Sequence, residues 1–211
     1  MREVFRQDLQ QIADLLTQMA TLVRSAIGNA NQALNQVDLQ LAERVIEEDV
    51  RIDELQQELD ELAINVLARQ APVAGDLRNV VAALRMSASV ERMGDLARHV
   101  AQLVRIRYPE HAIPEQVRPI FVEMGQYAEK IADATIELLE SRGLDQVPAI
   151  NEVDEKLDDL HRSVFQAVAA NWDGSGESAI DVALASRYYE RFGDHAVSVS
   201  KKVEYLLTGD W

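Results

Sequence analysis

The chain has 211 residues, 47% hydrophobic and 27% charged, with a formal net charge of −15 and no cysteine. This composition fits a globular protein with charged outer helix faces and excludes a disulfide scaffold or a thiolate metal site. A field of that sign repels phosphate backbones and anionic headgroups, so nucleic acid is not an expected partner, whereas metal ions and basic patches on other proteins are.

Apolar residues recur at three- and four-residue spacing almost throughout, which predicts an all-α chain. The spacing predicts a first helix over 3–36 and a second over 38–69, with Asp38 as N-cap. The stretch QAPVAGD breaks the second helix at Pro72, and a third continues to 107, before Tyr108 and Pro109. YPEHAIPEQ reads as a linker. A fourth helix is expected over 114–141, opening at Pro114 and stopping at Gly143. A fifth over 147–172, the turn WDGSGES and a sixth helix to 207 complete the chain.

The two halves repeat. At an offset of 105, Met19 matches Met124, Val45 matches Ile150, Asp49 matches Asp154, Ile52 matches Leu157 and Asp53 matches Asp158. Beyond the turn the offset falls to 99, where Val90 matches Tyr189, Glu91 matches Glu190, Met93 matches Phe192 and Asp95 matches Asp194. The expected architecture is two tandem three-helix bundles, residues 1–108 and 114–211.

The pentapeptides ERMGD (91–95) and ERFGD (190–194) each place a glycine inside a helix and two carboxylates four residues apart. The glycine costs about 1 kcal/mol relative to alanine, and the carboxylates repel. With 36 acidic residues in the chain, chance alone gives roughly six such acidic pairs, so spacing is weak and arrangement decides. In an antiparallel hairpin, residues equidistant from the turn lie at one height. Asp53 with Glu91, and Asp49 with Asp95, both centre on Pro72; Asp158 with Glu190, and Asp154 with Asp194, both centre on Gly174. Each hairpin thus brings four carboxylates to one level if all face the same side, between axes about 8–10 Å apart. Such a group raises its own pKa values unless a cation neutralises it.

The core stripe of the third helix is Met86, Val90, Met93, Ala97, Val100 and Val104, with Ala185, Tyr189, Phe192, Ala196, Val199 and Val203 as counterparts. Glu91 lies about 100° round from Val90, outside the stripe. Gly94 and Gly193 fall between stripe and acids, where they let the neighbouring helix approach. Oxygen-only ligands suit Mg²⁺, Ca²⁺, Mn²⁺ or iron, with zinc also admitted. His195, His161 and His99 stand near the acids but read first as surface or packing residues. Arg92 and Arg191 accompany each motif, either as salt bridges to a neighbouring carboxylate or as phosphate contacts beside a metal.

The segments DLRNVVAALRMSASVERMGDLARHV and ASRYYERFGDHAVSVSKKVEYLL, with DVRID and DEKLD before them, resemble the two copies of the PhoU family signature. The resemblance extends over the whole chain and implies metal ions on Asp49, Asp53, Glu91, Asp95, Asp154, Asp158, Glu190 and Asp194, with His195 as an auxiliary. The chain departs from the pattern at Leu96, where the family often has the histidine seen at His195. The resemblance further implies a bacterial regulator linking the ATPase of a high-affinity phosphate ABC transporter to a sensor histidine kinase.

Two other classes compete. A ferritin-like di-metal enzyme needs Glu-x-x-His on two helices, whereas this chain offers Asp158-x-x-His161 against Asp53-x-x-Gln56. DGSGES lacks the lysine of a phosphate loop, and no nucleophile setting is present, so an enzyme is not expected. A metal-free helical adaptor, or an accessory protein of a low-affinity phosphate carrier, is the remaining alternative. No apolar run approaches the ~18 residues of a membrane span, and MREVFRQDLQQ lacks a signal-peptide core, so a cytoplasmic location peripheral to the membrane is expected. Leu15, Leu16 and Leu22 suggest a spare apolar face suited to a homodimer.

Overall fold

The computed structural model describes residues 2–141 and 143–209, so Met1, Asp210 and Trp211, the outer ends of the expected ranges, lie outside it. Among the described residues there are seven helices: α1 (Arg2–Gln36), α2 (Leu39–Glu48), α3 (Val50–Gln70), α4 (Gly75–Arg107), α5 (Arg118–Ser141), α6 (Val147–Asn171) and α7 (Gly176–Thr208). None is long and apolar enough to cross a membrane.

Punctuation follows local chemistry. The Asp38 carboxylate accepts from the Leu41 N–H at 3.0 Å and opens α2, as its type at that place requires. Ser175 does the same for α7 through Ser178 N–H. Gly209, at φ +84°, closes α7 with its N–H on the Tyr205 carbonyl at 2.9 Å.

Two expected boundaries are corrected. The single helix over 38–69 is two segments meeting at Asp49. Its backbone stays helical (φ −56°, ψ −36°), but its carbonyl accepts from Ile52 N–H at 2.9 Å and from Asp53 N–H only at 3.4 Å. The ladder therefore tightens to i→i+3 for one step. The fourth expected helix begins not at Pro114 but at Arg118. A helix opening at 114 would place Pro119 where its missing N–H breaks a ladder bond. Starting at 118 puts that proline in the first turn, where no intrahelical partner exists.

The two repeat units share one apolar cluster rather than standing apart. In the first, α4 packs on α1, α2 and α3; in the second, α7 packs on α5 and α6; the two join along α4–α7 and α1–α5. The expected stripes are buried in both units, and Tyr189 and Phe192 are among the largest fully buried side chains. Leu15 and Leu16, expected on a spare face, are buried, and Leu22 is partly buried against the same core. These leucines therefore belong to the core rather than to a spare face.

Polar contacts fix how the units sit. Asn31 of α1 is buried; its amide donates to Gly125 O at 3.0 Å and Glu129 Oε1 at 2.9 Å, and its Oδ1 accepts from Tyr189 O–H at 2.7 Å. Arg107 at the end of α4 pairs with Asp181 at 2.5 Å and Glu177 at 2.6 Å on α7. Ser89 and Ser198 meet at 3.3 Å across α4 and α7.

Candidate metal centre

The register argument for the carboxylates corresponds to what the fold assembles. In the first repeat Asp49 feels the charges of Asp53 and Asp95, and Glu91 those of Asp95 and Asp53. In the second, Asp154 feels Asp158, Asp194 and Glu190. All eight expected residues therefore fall into two groups of four, one on the α3–α4 hairpin with its Asp49 hinge and one on α6–α7.

Burial dominates the electrostatics. It pushes the Asp49 carboxyl up to about 6 against the lowering pull of Arg98, with Asp53 and Asp95 adding to the rise. Glu91 is pushed up to about 7, first by burial and then by Asp95. Asp154 rises to about 6 for the same reasons, with Lys201 the weak counterweight, and Glu190 also rises. In both groups the ionised form is held at a cost.

The glycines face the acids' helix. A Cβ on Gly94 would stand 2.8 Å from Ile52 Cδ1 and 3.4 Å from Asp49 Oδ1. A Cβ on Gly193 would stand 2.5 Å from Asp154 Oδ1 and 3.0 Å from Leu157 Cδ1. The close approach inferred from sequence is thus present in both hairpins, and in the second it seats a carboxylate directly over the glycine.

The basic residues separate the two groups. Arg92 pairs with Asp95 at 2.7 Å and approaches Glu91 at 3.6 Å, and Arg191 pairs with Asp194 at 3.6 Å. These are contacts within one helix, the salt-bridge alternative raised by the sequence. Arg98, which sequence reading passed over, lies 2.6 Å from Asp49 through Nε and also pairs with Asp95 through Nη2. Its position was readable: it follows Asp95 by three residues, and Asp49 stands level with Asp95.

In the second group, Asp154 Oδ1 and Glu190 Oε2 are buried without a hydrogen-bond partner among the described residues. Orphaned carboxylate oxygens are the kind of group that a cation satisfies. Among the described residues, however, no group of three or more histidine, aspartate or glutamate side chains stands so that it could hold a metal ion. The histidines do not complete either group. Burial pushes the His195 pKa down, with Arg191, Arg92 of α4 and Lys202 adding to the fall and Asp194 opposing it. His161 Nδ1 meets Ser186 Oγ at 3.0 Å, and His99 stacks at 5.1 Å on Tyr188.

The PhoU domain family model matches residues 16–104 and again 121–203, so each hairpin with its four carboxylates falls in one copy. The chain belongs to the PhoU family. It is 42% identical over 210 residues to a Mycobacterium tuberculosis protein named phosphate-specific transport system accessory protein PhoU homolog 2, covering 99% of each chain. It is 40% identical to PhoU homolog 1 of Mycobacterium leprae, covering 100% of this chain and 96% of that one. Among solved structures, PhoU from Pseudomonas aeruginosa superposes with a TM-score of 0.89 at 25% identity, covering 98% of this chain and 100% of that one. The fold is shared with PhoU from Streptococcus pneumoniae, TM-score 0.84 at 21% identity, covering 98% of each.

Proposed function

We propose that this chain is a cytoplasmic accessory protein of phosphate-specific transport that restrains phosphate uptake and the phosphate-starvation response when phosphate is plentiful. It acts by contact rather than catalysis, touching the ATPase of the transporter and a sensor histidine kinase. The observation that carries this reading is the full-length match to proteins named as accessory to that transport system. Long rigid helices and a net charge of −15 suit docking against basic surfaces of such partners. Deleting the gene is expected to raise alkaline phosphatase activity in phosphate-replete cells. Unchanged activity in a strain with no second homologue would sink the regulatory reading.

The acidic group Asp154, Asp158, Glu190 and Asp194 is proposed as a cation site; Asp49, Asp53, Glu91 and Asp95 are its repeat counterpart, with Arg98 already standing between two of them. The support is the pair of orphaned oxygens and a glycine cradle that a methyl group would fill. Mg²⁺, Mn²⁺ or iron suits the oxygen donors, with zinc a further candidate. Bound there, the ion supplies positive charge that offsets carboxylate repulsion between α6 and α7. Metal content of protein purified without chelator, measured by mass spectrometry beside Asp194→Asn, tests this; equal metal in both proteins refutes it.

The two glycines make a sharper expectation. Gly193→Ala drives its methyl into the Asp154 carboxylate and should weaken Mn²⁺ affinity about tenfold, the equivalent of about 1.4 kcal/mol. Gly94→Ala meets the flexible tip of Ile52 first and should leave Mn²⁺ affinity unchanged. Isothermal titration of both variants decides it.

A further inference from the structure

The two acidic groups share residue types and register, yet among the described residues only the first has a cation at ion-pair distance from carboxylates on two segments. Arg98 of α4 stands 2.6 Å from Asp49 through Nε, an ion pair without hydrogen-bond alignment, and its Nη2 donates to Asp95. Its side chain is 29% exposed, and those of Asp49 and Asp95 are 10% and 13% exposed. A planar guanidinium that bridges two largely desolvated carboxylates on different segments holds them far better than a surface pair does. At the repeat offset of 99 the counterpart of Arg98 is Val197, which packs against the apolar core.

The second group has arginines, but they stay on their own helix. Arg187 pairs with Glu190, and Arg191 with Asp194. Among the described residues no salt bridge reaches Asp154 on α6, whose Oδ1 is orphaned with Glu190 Oε2. Asp194 is 46% exposed, against 13% for Asp95. One group is bridged by an arginine; in its twin Asp154 feels Lys201 only from beyond ion-pair distance.

We propose that the repeats have diverged in role: Arg98 takes the place of a metal ion in the first group, and the second alone accepts an exchangeable hard cation. Position 98/197 is the determinant. A metal entering the first group must displace a guanidinium held by two carboxylates and then sit beside it. The open state of the second group rests on the cation reading above; the closure of the first rests on the placement of Arg98 alone.

The test counts ions. Mn²⁺ binding is measured by titration calorimetry on chelator-stripped full-length wild type, Asp95→Asn, Asp194→Asn, Arg98→Val and Val197→Arg. Wild-type binding should vanish in Asp194→Asn and persist in Asp95→Asn. Arg98→Val should gain a further ion, and Val197→Arg should weaken binding about tenfold or more. Loss of half the wild-type ions in Asp95→Asn overturns the proposal. If neither wild type nor Arg98→Val binds Mn²⁺, the cation reading falls, and with it the role of the second group. The role of Arg98 is then read from stability. Arg98→Val should lower the melting temperature by about 5 °C, Arg98→Lys should recover part of it, and adding Asp49→Asn to Arg98→Val should recover more by removing repulsion. An unchanged melting temperature in Arg98→Val refutes the counter-cation role whatever the metal result.

Discussion

Asn31→Ala is expected to lower the unfolding free energy by about 3 kcal/mol, which in a chain of this size moves the melting temperature by about 8 °C. Asn31 joins three helices: its amide reaches Gly125 and Glu129 of α5, and its carbonyl oxygen holds the hydroxyl of Tyr189 on α7. Tyr189 is fully buried, so the substitution strands its hydroxyl where no water replaces the lost partner. Glu129 is less affected, because Arg24 also pairs with it at 3.2 Å. Tyr189→Phe should cost less, about 1–2 kcal/mol, since it leaves only an acceptor unpaired. The double variant should cost clearly less than the sum, because removing both partners leaves no orphan between them. Thermal or urea unfolding of the four proteins tests this. Additive losses would mean that the hydrogen bond does not couple α1 to α7. The coupling matters for the site as well, because Tyr189 directly precedes Glu190 on α7 and stands one turn before Gly193.

Much of this was legible beforehand for a simple reason. A helix buries residues at a fixed spacing, and a short turn forces its two helices to run antiparallel. Periodicity therefore yields the stripe from Met86 to Val104, and the turn positions yield the pairing of Asp49 with Asp95 and Asp154 with Asp194. What escaped depends on interactions between elements that periodicity does not order. That Leu15 is apolar and in phase with its neighbours follows from its pattern; that α1 has no spare face, being packed on α2, α3, α4 and α5, does not. The start of α5 turned on Pro119 rather than Pro114, a choice that depends on which proline can spare its N–H. The hinge at Asp49 follows from one carbonyl shared unevenly by two N–H groups. That Arg92 of α4 acts on His195 alongside Asp194 next to it requires the α4–α7 packing. Arg98 escaped because repeat matching favours positions that agree, whereas the informative position is one where the copies differ, arginine in one and valine in the other.

Glu91→Gln is expected to stabilise the chelator-stripped protein by about 1–2 kcal/mol at pH 8, with the gain fading to nothing near pH 4.5. Burial is the main cause that pushes the Glu91 carboxyl up to about 7, and the Asp95 charge adds to it, while Arg92 opposes both. In the unfolded chain the same group titrates near 4.5. The folded state therefore binds the proton more tightly, and the stability contributed by protonated Glu91 is fully present below the unfolded value and lost as pH rises through about 7. Each pKa unit corresponds to about 1.4 kcal/mol, reduced here because the group opens to solvent on one side and its charges are screened. Glutamine is neutral at every pH and escapes the penalty that ionised Glu91 meets above 7. Comparing the two proteins cancels the histidines, whose own lowered pKa values act in the opposite sense below pH 6.5. Melting temperatures of both proteins at half-unit steps from pH 4.5 to 8 measure the difference. A gain that does not grow with pH would show that Glu91 is not held against its own charge. A chain that keeps such a residue through a folding penalty gains nothing in stability from it.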